Sequence, residues 1–258
     1  MQHLFLNPDA WMAFLTLVFL EVVLGIDNII FLSIMSNKAP KALQAKVRNV
    51  GLLLAMLGRI ALLFGVSLLI RLTKPLFTVE GEWMSFTVNG QSIIILLGGL
   101  FLIYKSVGEI HHKLEAKDDA PAVRTKAGSI ARIITQIFLL DLVFSIDSVL
   151  TAIGMVSFNE FGYAGAMAIM ITAIVVTVLI MLFFSSPVSR FVNNHPTVQM
   201  LALSFLILIG VTLLVEAGHL AHLTVLGNPV GEIPKGYIYF AILFSLGVET
   251  LNLKMKKK

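Results

Sequence analysis

Four acidic residues lie deep inside long apolar stretches of this chain, where charged side chains are unusual. They are Glu21, Asp27, Asp141 and Asp147. An acid at the centre of a membrane-spanning helix costs about 2.5–3.5 kcal/mol, so four acids need protons, a basic partner, water or a bound cation. Hard divalent cations such as Mg²⁺, Ca²⁺ and Mn²⁺ prefer carboxylate oxygens. These acids therefore predict an intramembrane cation site.

The acids belong to two copies of one motif. Residues 19–35 read FLEVVLGIDNIIFLSIM, and residues 139–155 read LLDLVFSIDSVLTAIGM. Three polar positions of the copies match: Glu21 with Asp141, Asp27 with Asp147, and Asn28 with Ser148. The amide and the hydroxyl add uncharged oxygens, so the predicted metal site comprises all six residues.

The two acids of each motif do not share a face of a regular helix, because residues six apart lie about 120° from each other. We expect one of two outcomes. The helices open or bulge near residues 25–26 and 145–146, as unwound backbone beside a cavity allows. Otherwise one acid of each pair faces the cavity and the other faces a neighbouring helix.

A salt bridge inside the membrane is the alternative to a cation site. Arg59 is the basic residue at the middle of an apolar run, and one arginine neutralises one or two of the four acids at most. Three further acids near the ends of apolar runs are weaker site candidates, because they either line a vestibule or reach headgroup water. They are Glu109, Glu216 and Glu249.

The elements that must position these side chains are membrane helices. Of 258 residues, 57% are hydrophobic and 13% are charged, about half the ~25% charged residues of a soluble domain. This composition excludes a disordered chain, a secreted disulfide scaffold and a nucleic-acid partner, and the absence of cysteine excludes thiolate metal sites. Seven runs are long enough to cross a bilayer: residues 11–36, 50–72, 92–109, 130–156, 163–185, 198–219 and 236–253.

The distribution of Lys and Arg predicts the orientation of these spans. Basic residues, Arg48 and Arg190 among them, collect in the segments after spans one, three and five and in the C-terminal tail. Only Lys74 and Lys235 lie on the other side. Because cytoplasmic loops collect positive charge, the N-terminus is predicted outside and the C-terminus in the cytoplasm.

The motif copies also predict the architecture, an all-α membrane protein built as one transmembrane domain. Repeat one covers about residues 11–109 and repeat two about 130–219, with a mobile cytoplasmic loop at about 110–129 and an extra helix at about 236–253. Each repeat has three spans, so the second enters the membrane the opposite way up. Transporters with such inverted repeats place their substrate site near the midplane.

Four motifs resemble the TerC family of integral membrane proteins. Residues 21–28 read EVVLGIDN, 141–148 DLVFSIDS, 196–205 PTVQMLALSF and 235–240 KGYIYF. The resemblance covers nearly the whole chain and is closest to bacterial inner-membrane members that lack extra soluble domains. It implies a seven-helix fold related to the LysE transporter superfamily, and metal-ion efflux with Mn²⁺ the best supported substrate. The six polar motif positions are the family's acidic site.

The sequence therefore predicts a secondary transporter that exports divalent cations from the cytoplasm. The resemblance to the TerC family implies Mn²⁺ as the substrate, whereas the oxygen ligands alone do not rank Mn²⁺ above Ca²⁺ or Mg²⁺. Exchange for protons and passive flux both stay open. We expect no catalytic residues and no permanently bound cofactor, and we make no prediction of oligomeric state. Three alternatives remain. An exporter of amino acids or other small organic solutes would need Arg59 for a carboxylate, and a non-transporting assembly partner would need no site. An intramembrane aspartyl protease needs two Asp residues, but its GxGD and PAL signatures are absent.

Overall fold

The computed structural model describes residues 7–65, 71–81, 83–115 and 127–255. Within these ranges the chain forms eight helices and one small sheet. The helices are α1 (Pro8–Leu24), α2 (Ile26–Ser36), α3 (Lys41–Phe64), α4 (Gly90–Glu115), α5 (Ala127–Met155), α6 (Phe158–Asn194), α7 (Pro196–Leu220) and α8 (Lys235–Met255). The strands are β1 (Pro75–Glu80), β2 (Met84–Asn89), β3 (Thr224–Val225) and β4 (Asn228–Pro229).

Five helices are long and apolar enough to cross a membrane: α3, α4, α5, α6 and α7. They overlap predicted spans two to six, although α3 begins nine residues before the predicted start of span two at residue 50 and ends at Phe64. Helices α1 and α2 make a sixth span if the bent pair counts as one. Helix α6 contains a break at Gly162, whose φ is 66°, so its long continuous part begins where span five was predicted. A seventh crossing, the inverted repeat and the orientation of the termini stay predictions.

The first motif copy is interrupted in the structure and the second is not. Helix α1 ends at Leu24, α2 begins at Ile26, and the two halves are bent by 44°. Gly25 lies at the junction and carries no side chain. Helix α5 runs without interruption through residues 145–146. The predicted distortion is therefore confirmed in the first copy and is wrong in the second.

The segment predicted as a mobile loop at 110–129 is helical at both of its ends. Helix α4 continues to Glu115, and α5 begins at Ala127, so helix covers both ends of that segment. The predicted span at 92–109 stopped early because the last turns of α4 are polar. Residues 116–126 of the segment lie outside the described residues.

The prediction of an all-α protein is wrong in one region, where four short strands form an antiparallel sheet in the order β1-β2-β3-β4. In the hairpin, Phe77 pairs with Val88 and Val79 with Phe86, which leaves Thr78 opposite Thr87 on the other face. This alternation of apolar and polar residues is the pattern of a strand. A search for apolar runs long enough to span a bilayer does not detect it.

Backbone contacts divide the chain into two compact units. Unit 1 contains Met1–Leu69 and Val123–Phe191, and unit 2 contains Ile70–Ala122 and Val192–Lys258. Unit 1 therefore holds helices α1, α2, α3 and α5 and most of α6, whereas unit 2 holds α4, α7, α8 and the sheet. Each unit takes helices from both predicted repeats, so the units do not correspond to the repeats.

In unit 2, α4 and α7 pack closely where two glycines face each other. A Cβ atom added to Gly99 would lie 2.9 Å from the carbonyl oxygen of Gly210, and one on Gly210 would lie 3.1 Å from the carbonyl oxygen of Gly99. The sheet is attached at one end of this pair, where the Asn89 amide donates to the Leu220 carbonyl at 2.8 Å.

Candidate intramembrane charge site

Three charged side chains from three helices of unit 1 meet in its interior: Glu21 of α1, Arg59 of α3 and Asp141 of α5. Their side chains are 4%, 5% and 12% exposed. Arg59 donates from Nη1 to Glu21 Oε2. The same guanidinium binds Asp141 through two bonds, Nε to Oδ2 at 3.2 Å and Nη2 to Oδ1 at 2.8 Å. One arginine therefore holds both matching acids of the two motif copies.

Two uncharged side chains complete the surroundings of Asp141. The Asn28 amide donates from Nδ2 to Asp141 Oδ1 at 3.3 Å. The Ser145 hydroxyl lies 3.1 Å from Asp141 Oδ2 and 2.5 Å from the Asp141 backbone carbonyl oxygen, one helical turn earlier. Both carboxylate oxygens of Asp141 therefore have two neighbouring donors. This network joins α1, α2, α3 and α5.

The network contains one positive and two negative side chains, so ionised it carries one excess negative charge. Charges removed from water are expensive unless they are paired. A proton or a cation bound here would remove the imbalance. The charges of the site therefore favour the binding of a positively charged ion.

A small cavity lies beside the network in unit 1. Its volume is about 20 Å³, enough for about one water molecule or one small ion. Asn28 and Asp141 provide its polar lining. The remaining lining residues are apolar: Phe31, Leu32, Gly51, Leu52, Ala55 and Ile137.

The other three residues of the predicted site are not seen in this network. The side chains of Asp27 and Asp147 lie outside the described residues. The Ser148 hydroxyl donates to the Ser145 carbonyl of its own helix at 3.3 Å. Among the described residues, it therefore binds the backbone and no carboxylate. Ser145, which the sequence analysis did not select, contacts Asp141 instead. Its spacing of four residues from Asp141 was the available signal, because residues four apart are neighbours on a helix.

The described side chains alone do not form a metal centre. Among them, no group of three or more His, Asp or Glu residues is arranged to hold a metal ion.

The weaker candidates all lie in unit 2. Glu109 on α4 lies 3.9 Å from the Lys105 ammonium. Glu249 on α8 accepts from the Thr197 hydroxyl at 2.5 Å, and Asn252 donates to it at 3.5 Å. Glu216 lies on α7 and is half-buried. The contacts of Glu109 and Glu249 are therefore with neighbouring side chains near helix ends.

Helices this long and apolar define an integral membrane protein. The family model described as "Integral membrane protein TerC family" matches residues 6–257. The chain belongs to this family, as its motifs predicted.

Curated relatives support this assignment over the whole length. The chain is 44% identical over 252 residues to the "UPF0053 inner membrane protein YgdQ" of Escherichia coli K12, covering 98% of this chain and 96% of the relative. It is 41% identical over 251 residues to a "UPF0053 protein" of Haemophilus influenzae, covering 97% and 96%. It also matches the "UPF0053 inner membrane protein YoaE" of Escherichia coli K12 at 42% identity over 247 residues, which is 96% of this chain but 43% of that relative.

No solved structure matches the chain. The names of the relatives and the apolar helices confirm the predicted location, a multi-pass protein of the inner membrane.

Proposed function

We propose that this protein is a secondary transporter that exports divalent metal cations from the cytoplasm, with Mn²⁺ as the first substrate to test. The observation that carries the proposal is the shared arginine. Glu21 and Asp141, the matching acids of the two motif copies, meet on Arg59 with an excess negative charge beside a small cavity. Such a site favours a metal cation as the transported ion.

Arg59 acts in this proposal as the counter-ion of the site when no cation is bound. An entering cation competes with the guanidinium for the oxygens of Glu21 and Asp141, and Arg59 restores the pair after release. Mg²⁺ takes six oxygen ligands and Ca²⁺ six to eight, more than these two acids and Asn28 supply. We therefore propose that Asp27, Asp147 and water complete the site, and that protons move in the opposite direction.

The alternative of an amino-acid exporter receives less support from the structure. Such a substrate would need a cationic group for its carboxylate, and Arg59 is the residue that the sequence offered for this task. Arg59 is already bound to two carboxylates of the protein itself. We also propose that the chain has no enzymatic activity, since the network has the form of an ion pair and not of an activated nucleophile.

Flux into liposomes tests the proposal. The purified protein is reconstituted with an enclosed metal-sensitive dye, and Mn²⁺, Ca²⁺ or Mg²⁺ is added outside. We expect flux in the wild type and its loss in Glu21→Gln, Asp141→Asn, Asp27→Asn and Asp147→Asn. Glu80→Gln, which changes an exposed acid of β1, should transport normally. A pH-sensitive dye distinguishes exchange for protons from passive flux.

Two neighbouring serines provide a matched pair of variants. Ser145→Ala removes a hydroxyl from Asp141 and should change the Mn²⁺ concentration for half-maximal flux by about tenfold or more, since a hydrogen bond to a charged group contributes about 1.5–3 kcal/mol. Ser148→Ala removes a hydroxyl that, among the described residues, donates to the backbone of its own helix, and it should change this concentration little. Flux that persists in Glu21→Gln and Asp141→Asn would contradict the assignment of these two acids to the transport site. Wild-type protein that transports none of the three cations would favour the non-transporting partner.

A further inference from the structure

A second buried arginine lies on α3, away from the residues of the proposed transport site. Arg48 is 7% exposed, and its Nε donates to the Ser185 hydroxyl oxygen on α6 at 3.1 Å. The Ser185 hydroxyl in turn donates to the Leu182 carbonyl at 2.9 Å. Ser185 therefore holds the guanidinium by one edge. No acidic partner of Arg48 occurs in the part of the chain that the structure describes.

A second positive charge lies next to this arginine. Arg190 is on the same helix as Ser185, five residues later, and is exposed. Five residues span about 7.5 Å along a helix, which long side chains can bridge, so Arg190 lies within reach of the guanidinium that Ser185 holds. The predicted spans leave both arginines in loops, but the structure places them on α3 and α6 within unit 1. Two like charges, one of them buried, require a negative partner.

The terminal nitrogens of Arg48 are accessible to such a partner. Within residues 7–65, 71–81, 83–115 and 127–255 they form no hydrogen bond, and neither is among the fully enclosed polar atoms that lack a partner. The Arg48 side chain is therefore buried overall, but its terminal nitrogens are not fully enclosed.

The position along the helix places this end near the membrane surface. Arg48 lies about 10 Å from the beginning of α3, and the 24 residues of α3 span about 36 Å, against about 30 Å for the hydrocarbon core. Side chains on a helix lean toward its N-terminus, which here is the nearer end. A long arginine side chain at this depth reaches the level of the lipid phosphates.

We propose that Arg48 and Arg190 bind the phosphate of an anionic phospholipid, and that Ser185 positions Arg48 for this contact. Guanidinium groups bind phosphate oxygens through two parallel N–H bonds, and basic pockets between membrane helices hold anionic headgroups. The site is separate from the network of Glu21, Arg59 and Asp141, and it does not depend on the proposed function. Inorganic phosphate offers the same chemistry, so the experiment separates the two sources.

The test measures the thermal unfolding of the full chain in detergent with added lipid. Phosphatidylglycerol should raise the unfolding temperature of the wild type more than phosphatidylcholine, whose headgroup is neutral overall. This extra shift should fall severalfold in Arg190→Gln, which changes an exposed residue and leaves the fold intact, and in Arg48→Gln. Arg132→Gln, at an exposed position of α5, should keep the full shift.

Two further arms complete the experiment. Salt should weaken the extra shift, because screening reduces the attraction. Inorganic phosphate that reproduces the shift without lipid would support the anion site and assign it to soluble phosphate. Equal shifts with both lipids and none with phosphate would overturn the proposal, as would an extra shift that survives both Arg190→Gln and Arg48→Gln.

Discussion

Arg59 holds two carboxylates at once because of the shape of its side chain. A guanidinium is planar and carries five N–H donors in a fixed fork, so one edge binds Asp141 while the remaining nitrogen binds Glu21. A lysine ammonium is a single compact charge and does not reproduce this arrangement. The three residues come from different helices. Their pairing therefore stabilises the packing of α1, α3 and α5 as well as the charges.

We expect Arg59→Met to lower the free energy of unfolding by about 3–5 kcal/mol, because it leaves two buried carboxylates without their cation. Arg59→Lys should lower it less, since the charge remains but the fork is lost. Unfolding by heat in detergent measures both effects, and Arg132→Met is the control. Adding Glu21→Gln and Asp141→Asn to Arg59→Met should restore part of the lost free energy of unfolding, because the unpaired carboxylates are then removed. A stable Arg59→Met protein would contradict an electrostatic role.

The two copies of the motif form different helices, and one of the aligned positions at which they differ lies at the break. Gly25 in the first copy lies at a junction, and a Cβ atom there would approach the Glu21 carbonyl oxygen to 2.9 Å. Ser145 in the second copy bonds to the carbonyl one turn earlier, and α5 stays continuous. The pattern of acids is repeated, whereas the backbone that presents them is not.

The crossing of α4 and α7 depends on the small size of Gly99. Gly99→Val should lower the free energy of unfolding by about 1–3 kcal/mol, because the new side chain meets backbone that cannot move aside cheaply. Gly108→Val lies on the same helix, and a Cβ atom there meets nothing within 4 Å. It is the matched control and should have a smaller effect. Equal losses in the two variants, measured by thermal unfolding, would show that helix propensity and not packing is responsible.

The whole molecule has a predicted orientation that its lack of cysteine makes easy to test. Single cysteines at Glu80, Glu115 and Met255 report strand β1, which precedes α4, the end of α4 and the end of α8. In intact spheroplasts, an impermeant maleimide should label Glu80→Cys but not Glu115→Cys or Met255→Cys. Permeabilised cells provide the control for reactivity. Labelling of Met255→Cys from outside would show that α8 does not cross, and labelling of Glu115→Cys would reverse the orientation.

Properties that depend on short stretches of chain were predictable from the sequence. Apolar runs identify five spans, and acids inside them identify Glu21 and Asp141 as unusual, because both signals are local in composition and spacing. The family followed from motifs of the same kind. The strands β1 and β2 were also readable in principle, since Phe77 and Val79 alternate with polar residues.

Only the tertiary structure decided which side chains meet. It brought Arg59 to two acids and Arg48 to Ser185. These contacts join residues far apart in the chain, or depend on whether a helix breaks at a given turn. They follow from how helices pack against one another, and no local pattern of residue types contains that information.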